Sequence, residues 1–262
     1  RASPSRERLV SAQDDPLGTD HPLPVGRGVG GEGGGQTYWL QATNSAMIDI
    51  IIPIYNQAAH LGRCLASIQA QTLPPARVII VDDGSSDDVA DALQPFQDQL
   101  TITLRRQRNR GAAASRNAGA GESSAPLMVF CDAAVVLHPE CLATLQAALD
   151  HSAASFAYSS FRFGPKTFSS FPFDVERLRQ MPYIHTTALI RREHFPGFDE
   201  SLRRLQDWDL WLTMAKQGRS GVWVPEVLFT VHGGGTMSQW FPKVFYRLLP
   251  WLPMVRRYHA AA

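Results

Sequence analysis

The chain has 262 residues, 44% of them apolar and 19% charged, enough to bury the core of one full-sized α/β domain with appended tails. Its 25 Lys+Arg and 24 Asp+Glu leave a formal charge of +1, which argues against a protein built mainly to grip nucleic acid, because such proteins carry a basic excess. Cys64, Cys131 and Cys141 are odd in number and match no zinc-module spacing, and no apolar run approaches the roughly 18 residues of a membrane-spanning helix.

Residues 1–46 are expected to be a disordered tail or linker. Seven of the ten residues from Gly26 to Gly35 are glycine, and Pro16, Pro22 and Pro24 precede them, so the segment has little apolar surface to offset its ordering entropy. A phosphate loop is excluded there, since no strand precedes the glycines and no Gly-Lys-Ser/Thr follows. Met47 is expected to be the native start. The N-terminus lacks the charged-then-apolar pattern of a secretory leader, and the expected location is cytoplasmic, at most peripheral on the cytoplasmic face of the membrane.

From Met47 strands and helices alternate. Ile48 to Ile54 is an isoleucine-rich, β-branched run with one aspartate and one proline, as in a strand buried on both faces. Leu61, Cys64, Leu65 and Ile68 follow at helical spacing, with Pro74-Pro75 as the stop. Val78 to Val81 predicts a second strand. Ser86 or Asp87 is placed to cap a helix carrying Val89, Leu93 and Phe96. Leu100 to Leu104 predicts a third strand, Ala112 to Gly121 a short helix and Leu127 to Cys131 a fourth strand. Leu142, Leu145 and Leu149 mark the next helix, opened near Pro139. The pattern predicts a mostly parallel sheet with helices on both faces. Beyond it lies a less regular region: a strand over 156–163, a loop over 165–182, a strand over 188–191 and a helix over 207–217 ended by Gly218.

In such a sheet the ligand crevice lies beyond the carboxyl ends of the strands. Those ends carry Pro53-Ile54-Tyr55-Asn56, Asp82-Asp83-Gly84-Ser85-Ser86, Asn109-Arg110-Gly111 and Asp132. A ring for stacking and carboxylates that accept from a base or ribose suit a nucleotide. A dinucleotide-binding dehydrogenase is excluded, because Tyr55-Asn56-Gln57-Ala58-Ala59 contains none of the glycines that the first turn of that fold needs.

Ile50-Ile51-Ile52-Pro53-Ile54-Tyr55-Asn56, Val81-Asp82-Asp83-Gly84-Ser85-Ser86-Asp87, Asn109-Arg110-Gly111 and Ser115-Arg116-Asn117-Ala118-Gly119 resemble segments of family 2 glycosyltransferases with the GT-A fold. So do Gly197-Phe198-Asp199-Glu200, Gln206-Asp207-Trp208-Asp209-Leu210-Trp211 and Val231-His232-Gly233-Gly234, in the family's order over residues 48–238. The resemblance implies a GT-A-type α/β domain over 47–238, with a nucleotide-binding half (47–138) and an acceptor or catalytic half (139–238). It implies an inverting transferase that moves a sugar from a nucleotide-diphosphate donor, a uridine one, to a hydroxyl on a glycan or lipid-linked glycan, as in polysaccharide biosynthesis. Pro53, Tyr55, Asn56 and Asp83 would hold the base, and Arg116 and Asp132 the rest of the nucleotide. Asp207 would be the general base, ionised at a helix N-terminus. Asp132 matches the first acid of an Asp-x-Asp signature that holds Mn2+ or Mg2+, and His232 a histidine that closes over the diphosphate or its metal. The second acid is missing, since the sequence reads Asp132-Ala133-Ala134-Val135. Two other readings stay open: a non-catalytic nucleotide-sugar-binding relative, and a transferase of sugar to polyprenyl phosphate. Phe168 to Tyr183 falls where family members vary their acceptor-binding loop.

Residues 239–262 form a basic, amphipathic C-terminal segment. Trp240 to Tyr258 contains four Lys/Arg, no acid and many large apolar side chains, including Phe241, Phe245 and Trp251, a composition that suits an anionic membrane surface. Removal of residues 240–262 is expected to abolish sedimentation with anionic vesicles while the remaining domain stays folded. A truncated chain that unfolds would place the segment in the core instead.

Overall fold

The computed structural model describes residues 47–233. The expected disordered tail over 1–46 and the C-terminal segment over 239–262 lie outside them.

The isoleucine-rich run becomes β1 (Ile48–Ile54), which is buried along its length apart from a half-buried Pro53. Its alternate residues serve two cores. Ile48, Ile50, Ile52 and Ile54 pack with Leu61 and Leu65 of α1 (Ala58–Gln69), Val89 and Leu93 of α2 (Val89–Leu93), and Leu142 and Leu145 of α4 (Cys141–Asp150). Ile51 packs on the other face with Ala113 of α3 (Ala112–Glu122), Leu178 of α5 (Val175–Gln180), and Trp208 and Trp211 of α6 (Gln206–Lys216). Helices therefore cover both faces, as the alternation of strand and helix predicts.

Parallel pairing joins β1 to β2 (Arg77–Asp82) and to β4 (Leu127–Phe130), and β2 to β3 (Ile102–Arg106). The sheet then continues through β8 (Leu189–Arg191), β6 (Phe156–Phe163), β9 (Gly221–Val231) and β5 (Val135–Leu137), in the order β3-β2-β1-β4-β8-β6-β9-β5. The chain winds one way from β1 to β3 and returns to β1's other side with β4. That reversal leaves a crevice beyond the carboxyl ends of β1 and β4, where Tyr55, Asn56 and Asp132 emerge.

Several local expectations are corrected. Asp88, not Ser86 or Asp87, caps α2 by accepting the Asp91 amide at 3.0 Å. Asp87 instead accepts the amide of Ala58, the first residue of α1, at 2.7 Å, and so serves a different helix. Helix α1 ends at Gln69, ahead of Pro74-Pro75. The 165–182 stretch is not simply a loop: it holds β7 (Lys166–Phe168), paired with β6, and α5, capped by Asp174. Both elements are too short to reveal a period. Strand β9 escapes notice because Pro225 and Glu226 interrupt its apolar pattern. They are exposed and occupy an irregularity in the pairing with β6, where Ser159 faces Val224 and Ser160 faces Val227.

Two contacts set the height of α3 over the sheet. A Cβ on Gly119 would stand 2.4 Å from Ile51 Cγ2, so only glycine permits the helix to lie this close. Asp49, buried in β1, accepts from Arg77 at 3.0 Å, Ser123 Oγ at 2.8 Å and the amides of Ser124 and Ala125 at 3.2 and 3.3 Å, holding the turn after α3. Burial pushes the Asp49 carboxyl up, but the bonds from Arg77, Ser123 and Ala125 outweigh it and leave the group below its ordinary value. A carboxyl lowered on folding adds stability above its unfolded-state pKa and loses it as pH falls through the native one. Asp49→Asn is therefore expected to cost about 2–4 kcal/mol in urea melts at neutral pH. The gap to wild type should narrow as the pH falls below 3.8 and through the lowered native pKa.

Candidate active site

The turns after β1 and β2 are tied to each other. Asn56, in the left-handed region at φ 51°, accepts from the Ser86 amide at 2.8 Å and hydroxyl at 3.0 Å, and its own amide donates to Ser85 Oγ at 3.0 Å. This turn leaves the Tyr55 ring 50% exposed beside the crevice, free to stack on a planar ligand. Asn56 thus shapes the first loop. Asp82 is fully buried, accepting from Arg106 at 2.8 Å and the Ser85 amide at 2.8 Å. Burial raises its pKa, and the bonds from Ser85 and Arg106 more than reverse that.

Asp83 turns the other way. Its Oδ1 accepts from Gln107 at 2.8 Å and the Arg110 amide at 2.9 Å, and its Oδ2 from the Gly111 amide at 2.7 Å. It thereby holds the loop that leads into α3, and a carboxylate's capacity of about four bonds leaves one acceptor position over. Gly111, at φ 92°, makes the sharp entry into α3.

Arg116 is not a solvated helix charge. It is 2% exposed, donates to Asp132 Oδ1 at 2.7 Å and to Gln206 Oε1 at 2.8 Å, and lies 5.4 Å from the Phe198 ring. Asp132, just past β4, keeps its side chain 35% exposed and has its second oxygen for the crevice. Burial raises the Asp132 pKa, but the charges of Arg116 and His185 and the Arg116 hydrogen bond hold it below the ordinary value. Arg116 therefore acts on a ligand through Asp132 rather than by reaching it.

Gln206 opens α6, and its amide also donates to the Leu202 carbonyl at 2.7 Å. It follows Leu205, whose left-handed backbone at φ 59° starts the helix. Asp207 is next, half-buried in the first turn, with Oδ1 on the Trp208 amide at 2.9 Å. Trp208 donates to the Leu178 carbonyl and Trp211 to that of Ile184, which fixes α6 against the segment before β8. Sequence reasoning assigned no role to His185, yet its ring feels the charges of Asp132, Asp207 and Arg116 together. It stands on no regular element, and no spacing rule reaches it.

The structure also brings His232 to this end of the sheet, where its amide donates to the Ala134 carbonyl at 2.8 Å, two residues past Asp132. Arg110 is paired with Glu200 at 2.8 Å and stays largely exposed. Asn117 clamps the 197–200 turn, accepting from the Phe198 amide at 2.8 Å and donating to its carbonyl at 2.9 Å. Among the described residues no group of three His, Cys, Asp or Glu side chains is gathered for a metal. A magnesium or manganese ion that takes one carboxylate and completes its shell with phosphates and water still fits the second oxygen of Asp132.

The model of Glycosyl transferase family 2 matches residues 49–204; Asp207 and His232 lie beyond that match. Validoxylamine A glucosyltransferase of Streptomyces hygroscopicus subsp. jinggangensis is 37% identical over 106 residues, 39% of this chain and 25% of that protein. The chain therefore spans about a quarter of that relative's length. The Bacillus subtilis protein named uncharacterized glycosyltransferase YwdF is 31% identical over 189 residues, 66% of this chain and 69% of its own. Among solved structures, Staphylococcus aureus TarS in complex with UDP-GlcNAc has a TM-score of 0.67 at 17% identity, covering 82% of this chain and 67% of that one. The mannosyltransferase PcManGT from Pyrobaculum calidifontis, in complex with GDP-Man and Mn2+, has a TM-score of 0.59 at 19% identity over 82% and 74%. The GT-A-type fold is shared with both.

The Arg116–Asp132 pair makes a direct prediction. Without the guanidinium, burial dominates, so Arg116→Met is expected to move the Asp132 titration from below 3.8 to above it. Carboxyl carbon chemical shifts followed through a pH series check this, and an unmoved titration would break the assigned pairing.

Proposed function

The chain belongs to glycosyl transferase family 2, and from that premise we propose that it is an inverting transferase. It moves a sugar from a nucleoside-diphosphate donor, of uridine by preference, to a hydroxyl on a glycan or lipid-linked glycan. The observation that carries this reading is that Arg116 bonds both Asp132 and Gln206, the residue next to Asp207, and so draws the two carboxylates to one end of the sheet. One carboxylate stands just past β4 at the carboxyl edge of the sheet and the other in the first turn of α6.

Each residue then has a task. Pro53 and Tyr55 flank the base, and the remaining acceptor position of Asp83 takes one of its N–H groups. Arg116 and Gln206 hold Asp132 and the start of α6 in register. Asp207, in the first turn of α6, accepts the proton of the acceptor hydroxyl as its oxygen attacks the anomeric carbon from the face opposite the diphosphate. The bond to the diphosphate breaks as the glycosidic bond forms, and the proton leaves Asp207 for water. A divalent ion, held by the second oxygen of Asp132 with His232 nearby, would neutralise charge on the departing diphosphate. Contact of the 240–258 segment with an anionic membrane would bring a lipid-linked acceptor within reach; its support is composition alone.

A thermal-shift series with UDP-glucose, UDP-N-acetylglucosamine and GDP-mannose, with and without manganese, tests donor binding, because a ligand held only by the folded state raises its stability. Asp207→Asn keeps shape and loses proton-accepting power. It is expected to lower turnover roughly a hundredfold or more with donor binding retained. Donor binding by wild type without any transfer would instead support the binding-only relative that Ala134 favours.

A further inference from the structure

Strand β6 runs the same way as β4, because both pair antiparallel with β8. Ile190 of β8 faces Met128 on one side and Phe156 on the other, so counting along the strands puts Ser160 level with Asp132. The chain climbs three residues more, to Phe163, turns at Gly164, whose φ is 54°, and returns as β7. At about 3.3 Å per residue, Phe163 stands on the order of 10 Å beyond the level of Asp132. Strand β9 rises with it: Phe163 pairs with Val231, and the Gly164 amide donates to the Val231 carbonyl at 3.1 Å. The β6–β7 hairpin therefore flanks the crevice and projects past it.

Its rings anchor it and its tip is basic. Strands β7 and β9 lie on opposite sides of β6, and the Phe161 ring is stacked between Phe168 at 5.1 Å and Phe229 at 5.3 Å. The Lys166 ammonium lies 5.0 Å from the centre of the Phe168 ring. Phe161, Phe163 and Phe168 are half-buried, whereas Arg162, Pro165, Lys166 and Thr167 are exposed. No acid occurs between Asp150 and Asp174, and Val227 to Gly233 of the neighbouring strand adds none. Two cations and several rings without a carboxylate suit an anionic headgroup layer, where cations meet phosphates and rings lie at the edge of the acyl chains. A sugar stacked on Phe161 would need an open ring face, and both are taken. The described residues also end here. A Cβ on Gly233, the last of them, would stand 3.9 Å from the Phe163 ring, so the basic and apolar run from Trp240 to Tyr258 follows in sequence from a point beside the hairpin.

Resting on the membrane contact proposed above for 240–258, we propose that the β6–β7 hairpin is a second docking surface for an anionic membrane, built into the folded domain. Its tip, Arg162 to Thr167, sits among anionic lipid headgroups and holds the mouth of the crevice beside the leaflet that carries a lipid-linked acceptor.

A probe on the hairpin separates this contact from that of the C-terminal segment. Cys64, Cys131 and Cys141 are buried, so a cysteine introduced at an exposed position takes an environment-sensitive fluorophore selectively. In the full chain, Thr167→Cys carries the probe on the hairpin and Asp98→Cys carries it at the far edge of the sheet, just before β3. Vesicles of phosphatidylcholine with phosphatidylglycerol are expected to shift the Thr167→Cys emission to the blue and expose it to quenching by spin-labelled lipid, with Asp98→Cys unchanged. Vesicles of phosphatidylcholine alone should move neither probe. Arg162→Gln combined with Lys166→Gln is expected to keep the melting temperature and to lose about fivefold in vesicle affinity per cation removed. The proposal is overturned if the chain sediments with anionic vesicles while the Thr167→Cys probe stays silent, a result that leaves the 240–258 contact standing. It is overturned too if both probes shift alike, if the double variant binds vesicles like wild type, or if heparin in solution shifts the Thr167→Cys probe as the vesicles do, which would make the hairpin a surface for an anionic glycan. A chain that does not sediment at all overturns both membrane contacts together.

Discussion

Asp132 and the head of α6 hang from one guanidinium. Arg116 sits on α3 in the parallel, nucleotide-side half, yet its two terminal nitrogens reach Asp132 beyond β4 and Gln206 at the head of α6. Gln206 in turn bonds the Leu202 carbonyl across the left-handed Leu205 and so holds the first turn in which Asp207 lies. A charge this deeply buried is tolerated only with a partner, and removing one member of such a pair typically costs about 3–5 kcal/mol. The ion pair adds little net stability over an apolar substitute, but it makes a misplaced Asp132 or a shifted α6 expensive. Its value is register between the two halves.

For Arg116 to reach both partners, α3 must lie close to the sheet. Gly119 permits the approach, because any Cβ there would collide with Ile51. Asn117 faces the other flank and clamps the Phe198 backbone from both sides. Three neighbouring positions on one short helix thus carry a buried cation, a backbone clamp and a close contact, each pointing a different way around the axis. The alanine-rich composition fits the same constraint. Small residues let the helix sink against β1 and β2, and the polar ones are reserved for the directions in which they are used.

The two halves differ in how far their residues announce the structure. Long, strongly patterned elements were legible: β1 and β6 fall at the expected bounds, α3 and α6 within a residue of theirs, α1 and α4 carry the expected apolar faces, and the crevice at the strand ends follows from parallel pairing. The carboxylates and Tyr55 could be named because they sit directly after such strands. Less was legible where the pattern is broken or short. Pro225 and Glu226 hide β9, and α5 has six residues. The burial of Arg116 was hidden too, since a lone arginine on an alanine-rich helix looks solvated until its partners, sixteen and ninety residues on, are brought to it. His185 was invisible for a related reason. Its position depends on Thr187, Trp211, Phe161 and Phe229, contacts that tertiary packing alone creates.

The charges at the site lead one step further on the proposed function. Arg106, Arg110 and Arg116 are each already paired with a carboxylate, Asp82, Glu200 and Asp132 in turn. Asp207 contributes a further negative charge, and Ala134 stands where a second metal-holding acid would otherwise be. A diphosphate entering this crevice brings more negative charge to a place where these cations are already matched. On the proposed reading, compensation would arrive with the donor, as a divalent ion that takes most of its shell from the diphosphate and water and one oxygen from Asp132. Metal and donor would reinforce each other's binding by the same factor, as linkage requires. The missing acid does not abolish the metal's role in this scheme. It transfers the choice of when the metal binds from the protein to the substrate.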